Sequence, residues 1–150
     1  MTERWRVFDD LVRCQIELWN LADERLQHEL GVPVGICGSL RAVADTAPSR
    51  VQDVAAQLVI TVGGASKAVD RLVAQGLCAR KGNPDDRRSS IVELTPAGED
   101  LLKQSNAVLE KLFGEVFGAA LSEPELDRLH ESLRKIRAVM PPPRPTTSVS

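Results

Sequence analysis

The sequence of 150 residues has no tyrosine, three phenylalanines, two tryptophans, two histidines and three cysteines. His28 and His130 stand far apart, so a histidine-based zinc or iron site is not expected. Cys14, Cys37 and Cys78 are odd in number and widely spaced. That argues against the disulfide framework of a secreted domain and against a metal site, and all three thiols read as small buried hydrophobes. No apolar run approaches the ~18 residues of a membrane span. The start, Met1-Thr2-Glu3-Arg4-Trp5, lacks the basic-then-apolar plan of a signal peptide. The expectation is a cytoplasmic chain with no membrane partner. There is also no phosphate-cradling glycine loop and no Ser/His/Asp arrangement, and Asp9-Asp10 and Glu99-Asp100 read as charged helix faces. Neither an enzyme nor a cofactor is expected.

The charge that is present is unevenly placed. The formal net charge is −2. From Arg50 to Ser90, however, seven basic residues face four acidic ones, a lobe of +3 that leaves −5 on the remainder. The local field, not the total charge, steers a polyanion to a surface.

Within that lobe, Ile60 to Leu72 reads as a short helix with Ala65, Val69, Leu72 and Val73 on its buried side. Gly63, Gly64, Ser66, Lys67, Asp70 and Arg71 fall on the other side. Thr61 is the expected N-cap and Gly76 the residue that closes the helix. Strands are expected over Leu77–Lys81 and Ser90–Leu94, separated by the turn-rich loop Gly82–Ser89 with Arg87 and Arg88 near its end. Upstream, Ser49 and Gln52 match a capping box that opens a helix through Val51, Val54, Ala55 and Leu58. Helix, tight turn, helix and basic-tipped hairpin make a winged helix-turn-helix, whose chemistry is DNA binding.

The flanks are helical. Trp5–Leu30 carries a stripe of Phe8, Leu11, Val12, Ile16, Trp19, Leu26 and Leu30, widened by Val7, Leu18, Leu21 and Ala22. A helix apolar over so much of its girth needs cover on more than one side, which points to a second subunit. Pro33–Asp45 is a shorter helix with Ile36, Leu40, Val43 and Ala44 inward, its Gly35 and Gly38 read as marks of close helix packing. Thr95-Pro96 starts a helix that runs to about Leu121. Ser122–Glu125 is a capping box for a last helix, whose Leu126, Leu129, Leu133 and Ile136 form a seam for a partner. The expected fold is mainly α (α+β), a single protomer over 1–140. Dimerisation helices occupy about 5–45 and 96–140, the winged helix-turn-helix about 49–95, and 141–150 is a disordered Pro/Ser/Thr tail.

Val69-Asp70-Arg71-Leu72 through Gly76-Leu77, followed by Asp85-Asp86-Arg87-Arg88 and Leu94-Thr95-Pro96-Ala97-Gly98, resembles the MarR family of bacterial transcription regulators. The resemblance runs from Trp5 to about Met140. It implies a homodimer that places two recognition helices in the major groove and two wings in flanking minor grooves. It also implies a pseudo-palindromic operator and release by a small-molecule effector, with repression as the output. The alternatives are a thiol-oxidation-responsive regulator on the same scaffold, or a winged-helix protein-interaction module that does not use DNA.

Onto this chain the resemblance carries DNA contacts at Thr61, Gly63, Gly64, Ser66, Lys67 and Arg71 of the recognition helix and at Arg87 and Arg88 of the wing. Lys67 has a guanine edge or a phosphate within reach, and Ser66 a base or the backbone. Arg71 meets phosphate or pairs with Asp70, and Arg50 is a further phosphate candidate. One wing arginine is expected on DNA and the other paired to Asp85 or Asp86, holding the wing in shape. Gly63-Gly64 departs from the bulkier polar pair common in the family. Trp5, Trp19, His28 and Cys37 are candidates to line an effector pocket. Cys14 sits where family oxidation sensors carry their reactive thiol, but those rely on nearby tyrosines, which this chain lacks.

Overall fold

The structure, a computed structural model, describes residues 1–141. The elements run α1 (Arg4–Leu30), α2 (Val34–Asp45), α3 (Val51–Leu58), α4 (Val62–Ala74), β1 (Cys78–Asn83), β2 (Asp86–Leu94), α5 (Pro96–Ala120) and α6 (Glu123–Val139). This is the expected mainly α fold, with a winged helix-turn-helix between flanking helices. Pro141 apart, the tail expected over 141–150 lies outside the described residues.

Two buried clusters hold it together, and α2 serves both. Its Ile36, Leu40 and Val43 join Val54, Val69, Leu72 and Val92 beneath the helix-turn-helix and wing. Its Val34 and Cys37 join Ala22, Leu26, Leu109 and Leu112 of α1 and α5. Ala42 is buried and Ala44 exposed, which reverses the expectation for Ala44. A Cβ added at Gly35 or Gly38 would meet nothing within 4 Å, so neither glycine marks close helix packing. The first amide of α2 is taken by the Asp23 carboxylate of α1, with Val34 N donating over 2.8 Å.

α3 starts one residue later than the capping box of the sequence implies. Ser49 is fully buried: its hydroxyl bonds Thr46 at 2.7 Å, and its carbonyl accepts from Val92 N of β2 at 2.7 Å. The N-cap is therefore Arg50, whose backbone N donates to the Asp53 carboxylate at 2.9 Å, in place of the expected Ser49–Gln52 pair. The turn into α4 passes through Val59 at φ 56°, the left-handed region. That conformation costs an L-residue about 1–2 kcal/mol, and Val59 is 63% exposed, so little packing is at stake. Val59→Gly is expected to relieve the strain, offset by roughly 0.5–1 kcal/mol of added freedom in the unfolded chain. The net is a rise in Tm of about 1–4 °C, read by calorimetry; a fall would show that the exposed valine makes contacts worth more than its strain.

β1 and β2 pair antiparallel from Cys78↔Leu94 through Gly82↔Ser90, with a register break before Asn83↔Asp86. Pairing thus extends both strands into the stretch expected as loop, leaving Pro84-Asp85 as the connection. Arg87 and Arg88 consequently fall within the span of β2, in the irregular part between Asp86 and Ser90 that has no partner on β1.

Candidate nucleic-acid interface

α4 is built as a presenting helix. The Thr61 hydroxyl caps it, accepting from Gly64 N at 3.0 Å. Gly76, at φ 71°, closes it, with Leu77 N donating to Leu72 O at 2.9 Å. Ala65, Val69 and Leu72 are buried, while Val73, expected inward, is 36% exposed. Thr61, Gly63, Lys67, Asp70 and Arg71 are exposed, and Ser66 and Gly64 are half-buried.

The acids sort the cations. Asp70 pairs with Arg80 of β1 at 2.6 Å and not with its neighbour Arg71, which ties the base of the wing to the recognition helix. Arg80 also donates to Ser90 Oγ at 3.4 Å. Arg50 lies 3.5 Å from Asp53, and Lys81 lies 2.6 Å from Glu93. Among the described residues, the cations of this lobe in no ion pair are Lys67, Arg71, Arg87 and Arg88. All four are exposed and belong to the helix and the wing.

The wing is shaped differently from expectation. Neither Arg87 nor Arg88 pairs with Asp85 or Asp86. Asp86 instead accepts from the backbone N of Arg88 at 2.9 Å, which is the turn chemistry a short carboxylate favours. Asn83, which the expected roles leave out, accepts from Asp85 N at 3.0 Å and donates to Ser89 Oγ at 3.1 Å. An Asn immediately before Pro-Asp is the signal that marks it. The guanidinium groups are therefore not consumed in holding the wing.

In the helical body, a cavity of about 520 Å³ opens between α1, α2, α5 and α6. Trp19 and Cys37 line it, as do Cys14, Arg41 and Phe113; His28 and Trp5 do not. His28 is exposed on the last turn of α1. The Arg41 guanidinium donates to Asn106 Oδ1. Burial pushes the Cys37 thiol up against a smaller lowering by Ser105, and pushes Cys78 up to about 11. Both are therefore protonated, poorly nucleophilic thiols at neutral pH. Cys14 is exposed, contrary to the reading of all three as buried, and its neighbour Arg13 is engaged by Asp9 at 2.8 Å. Among the described residues no group of His, Cys, Asp and Glu is placed to hold a metal ion. No helix there is long and apolar enough to cross a membrane.

A capped helix seated on a second helix, with a two-stranded wing clamped to it, defines a winged helix-turn-helix protein. The sequence model described as MarR family matches residues 38–89. The multiple antibiotic resistance protein MarR of Escherichia coli (strain K12) is 27% identical over 128 residues, 81% of this chain and 87% of that one. The fold superposes on the transcriptional regulator BldR from Sulfolobus solfataricus with a TM-score of 0.82 at 25% identity, covering 93% of this chain and 100% of that one. Sco3205, a MarR family transcriptional regulator from Streptomyces coelicolor solved in complex with DNA, gives 0.81 at 24% identity, covering 94% and 91%. Over residues 38–89 the chain matches the MarR family model, and in sequence and fold it is similar to MarR family transcriptional regulators.

Proposed function

We propose that the protein acts as a homodimer that binds a pseudo-palindromic operator, represses from it, and is released by a small-molecule effector. The observation that carries the DNA reading is the sorting of charge. In a lobe where Arg50, Arg80 and Lys81 are each neutralised by a carboxylate, the four cations left without one all stand on α4 and β2. Ionised groups held without partners on an exposed surface suit a polyanion. Lys67 and Arg71 serve the major groove and its phosphates, while the wing arginines serve a minor groove, whose negative potential attracts guanidinium groups without base readout. The cavity has the volume and apolar lining of a small-molecule site, with Arg41 the charged residue at its wall. Because α2 lines it and also packs beneath the helix-turn-helix, an occupant there bears on the element that supports α4.

The test is selection of genomic fragments by the purified protein, followed by footprinting of the tightest one. A protected pseudo-palindrome with half-sites about 34–36 Å apart is expected. On that fragment, changing Arg87 and Arg88 together to Ala should weaken binding and flatten the plot of log K against log salt. Every phosphate that is no longer neutralised reduces the slope by about 0.9, so a dimer without its four wing arginines should shift by roughly 2–4. An unchanged affinity and slope would remove the wing from the interface.

A further inference from the structure

The first turn of α4 differs in chemistry from the rest of its exposed side. Recognition helices present their N-terminal residues to base edges, yet here that turn is Val62-Gly63-Gly64, with no polar side chain. The one hydroxyl beside it, on Thr61, is held as the helix cap. Val62 is 54% exposed and belongs to neither buried cluster. A β-branched side chain has a stiff χ1, so it loses little freedom when something packs on it.

Gly63 and Gly64 differ. A Cβ at Gly64 would come within 3.2 Å of Thr61 Oγ1, so the cap accounts for that glycine. A Cβ at Gly63 would meet nothing within 4 Å, and its φ is not positive. Nothing inside the protein requires glycine there, although alanine favours a helix more strongly. A bare backbone of that kind suits a surface that comes close from outside.

Resting on the DNA-binding reading, we infer that Val62 reads the 5-methyl group of a thymine in the major groove, and that Gly63 lets the helix sit close enough for it to do so. Thymine's methyl is the one base-edge feature an apolar side chain recognises there. The unpaired Lys67 and Arg71 further along the helix supply the charge complement of a phosphate-lined groove. Val62 also lies one helical turn before Ser66, on the same side.

The probe is the tightest duplex from the genomic selection, with each thymine of the protected half-sites replaced in turn by deoxyuridine. Removal of one methyl per half-site is expected to weaken the wild-type protein about fourfold per half-site, the value of one buried methyl group. Val62→Ala should bind the thymine and uracil duplexes alike, at the wild-type level for uracil. Gly63→Ala should melt at or above the wild-type temperature while binding both duplexes more weakly, an opposition that a structural role for the glycine does not produce. Wild-type protein that binds the duplex but ignores every thymine-to-uracil change overturns the inference and leaves the DNA reading standing. So does a Val62→Ala variant that keeps the full difference between the two bases. Enrichment of no duplex overturns both.

Discussion

Gly98→Ala is expected to destabilise the fold by about 3–5 kcal/mol, a large share of the ~5–15 kcal/mol that holds a typical domain. An ideal Cβ at Gly98 would lie 2.0 Å from the carbonyl oxygen of Leu77 and 3.0 Å from its carbon. The obstacle is backbone, which cannot swing aside as the end of a side chain does. It is also fixed in place: Leu77 O accepts from Thr95 N at 3.0 Å, and the Thr95 hydroxyl donates to Gly76 O at 2.6 Å. The same hydroxyl caps α5 by accepting from Gly98 N at 3.1 Å. One corner thus joins the end of the recognition helix, both wing strands and the start of α5. Separating α5 from it loosens several hydrogen bonds at about 1 kcal/mol each, with repacking costs of about 1–3 kcal/mol. At about 2–4 °C per kcal/mol, Tm should fall by roughly 10 °C or more. A melting point within about 2 °C of wild type would show that the corner relaxes freely.

That glycine marks the boundary of what the sequence discloses. Thr95-Pro96, Thr61, Gly76 and the Ser122–Glu125 box were legible because capping is decided within four residues, and each forms the expected local bond. Where a side chain is claimed from further away, local reading fails. Ser49 has a cap's chemistry, but Thr46 and the Val92 amide hold it inside, so the helix begins at the next residue. Asp70 sits beside Arg71 in sequence and bonds Arg80. The strands outran their turn signals because Asn83 and Asp86, which look like loop residues, pair with one another. The candidate DNA-facing side of α4 followed from periodicity alone, apart from Val73. The cavity did not: Trp19 and Cys37 meet there by tertiary packing, and nothing in the sequence separates them from His28. Gly98 was visible as part of a motif, but its physical reason, the Leu77 carbonyl, is not.

Ile16→Asp combined with Ile136→Asp is expected to give a folded monomer that has lost specific DNA binding. α6 buries none of its residues in the protomer, although Leu129, Leu133 and Ile136 repeat at helical spacing. α1 leaves Trp5, Phe8, Val12, Ile16 and Trp19 outward, with the Trp5 and Phe8 rings 5.3 Å apart. Two such stripes in water form an apolar surface of the kind that marks an association site. A second copy related by a two-fold axis would cover both with the same contacts. Ile16 and Ile136 belong to neither buried cluster, so the substitutions spare the protomer's own core. In a dimer each aspartate would be an unpaired charge in an apolar seam, where burial costs far more than the contact returns. Sedimentation should report a species near the 16.4 kDa of one chain, with the helical circular dichroism retained. A single half-site cannot hold the operator as two do, so affinity should fall at least about a thousandfold, to the level of non-specific binding. A variant that stays dimeric would move assembly to another surface of the chain. A true monomer that keeps operator affinity would instead show that one recognition helix and one wing suffice, and the pseudo-palindrome would lose its physical basis.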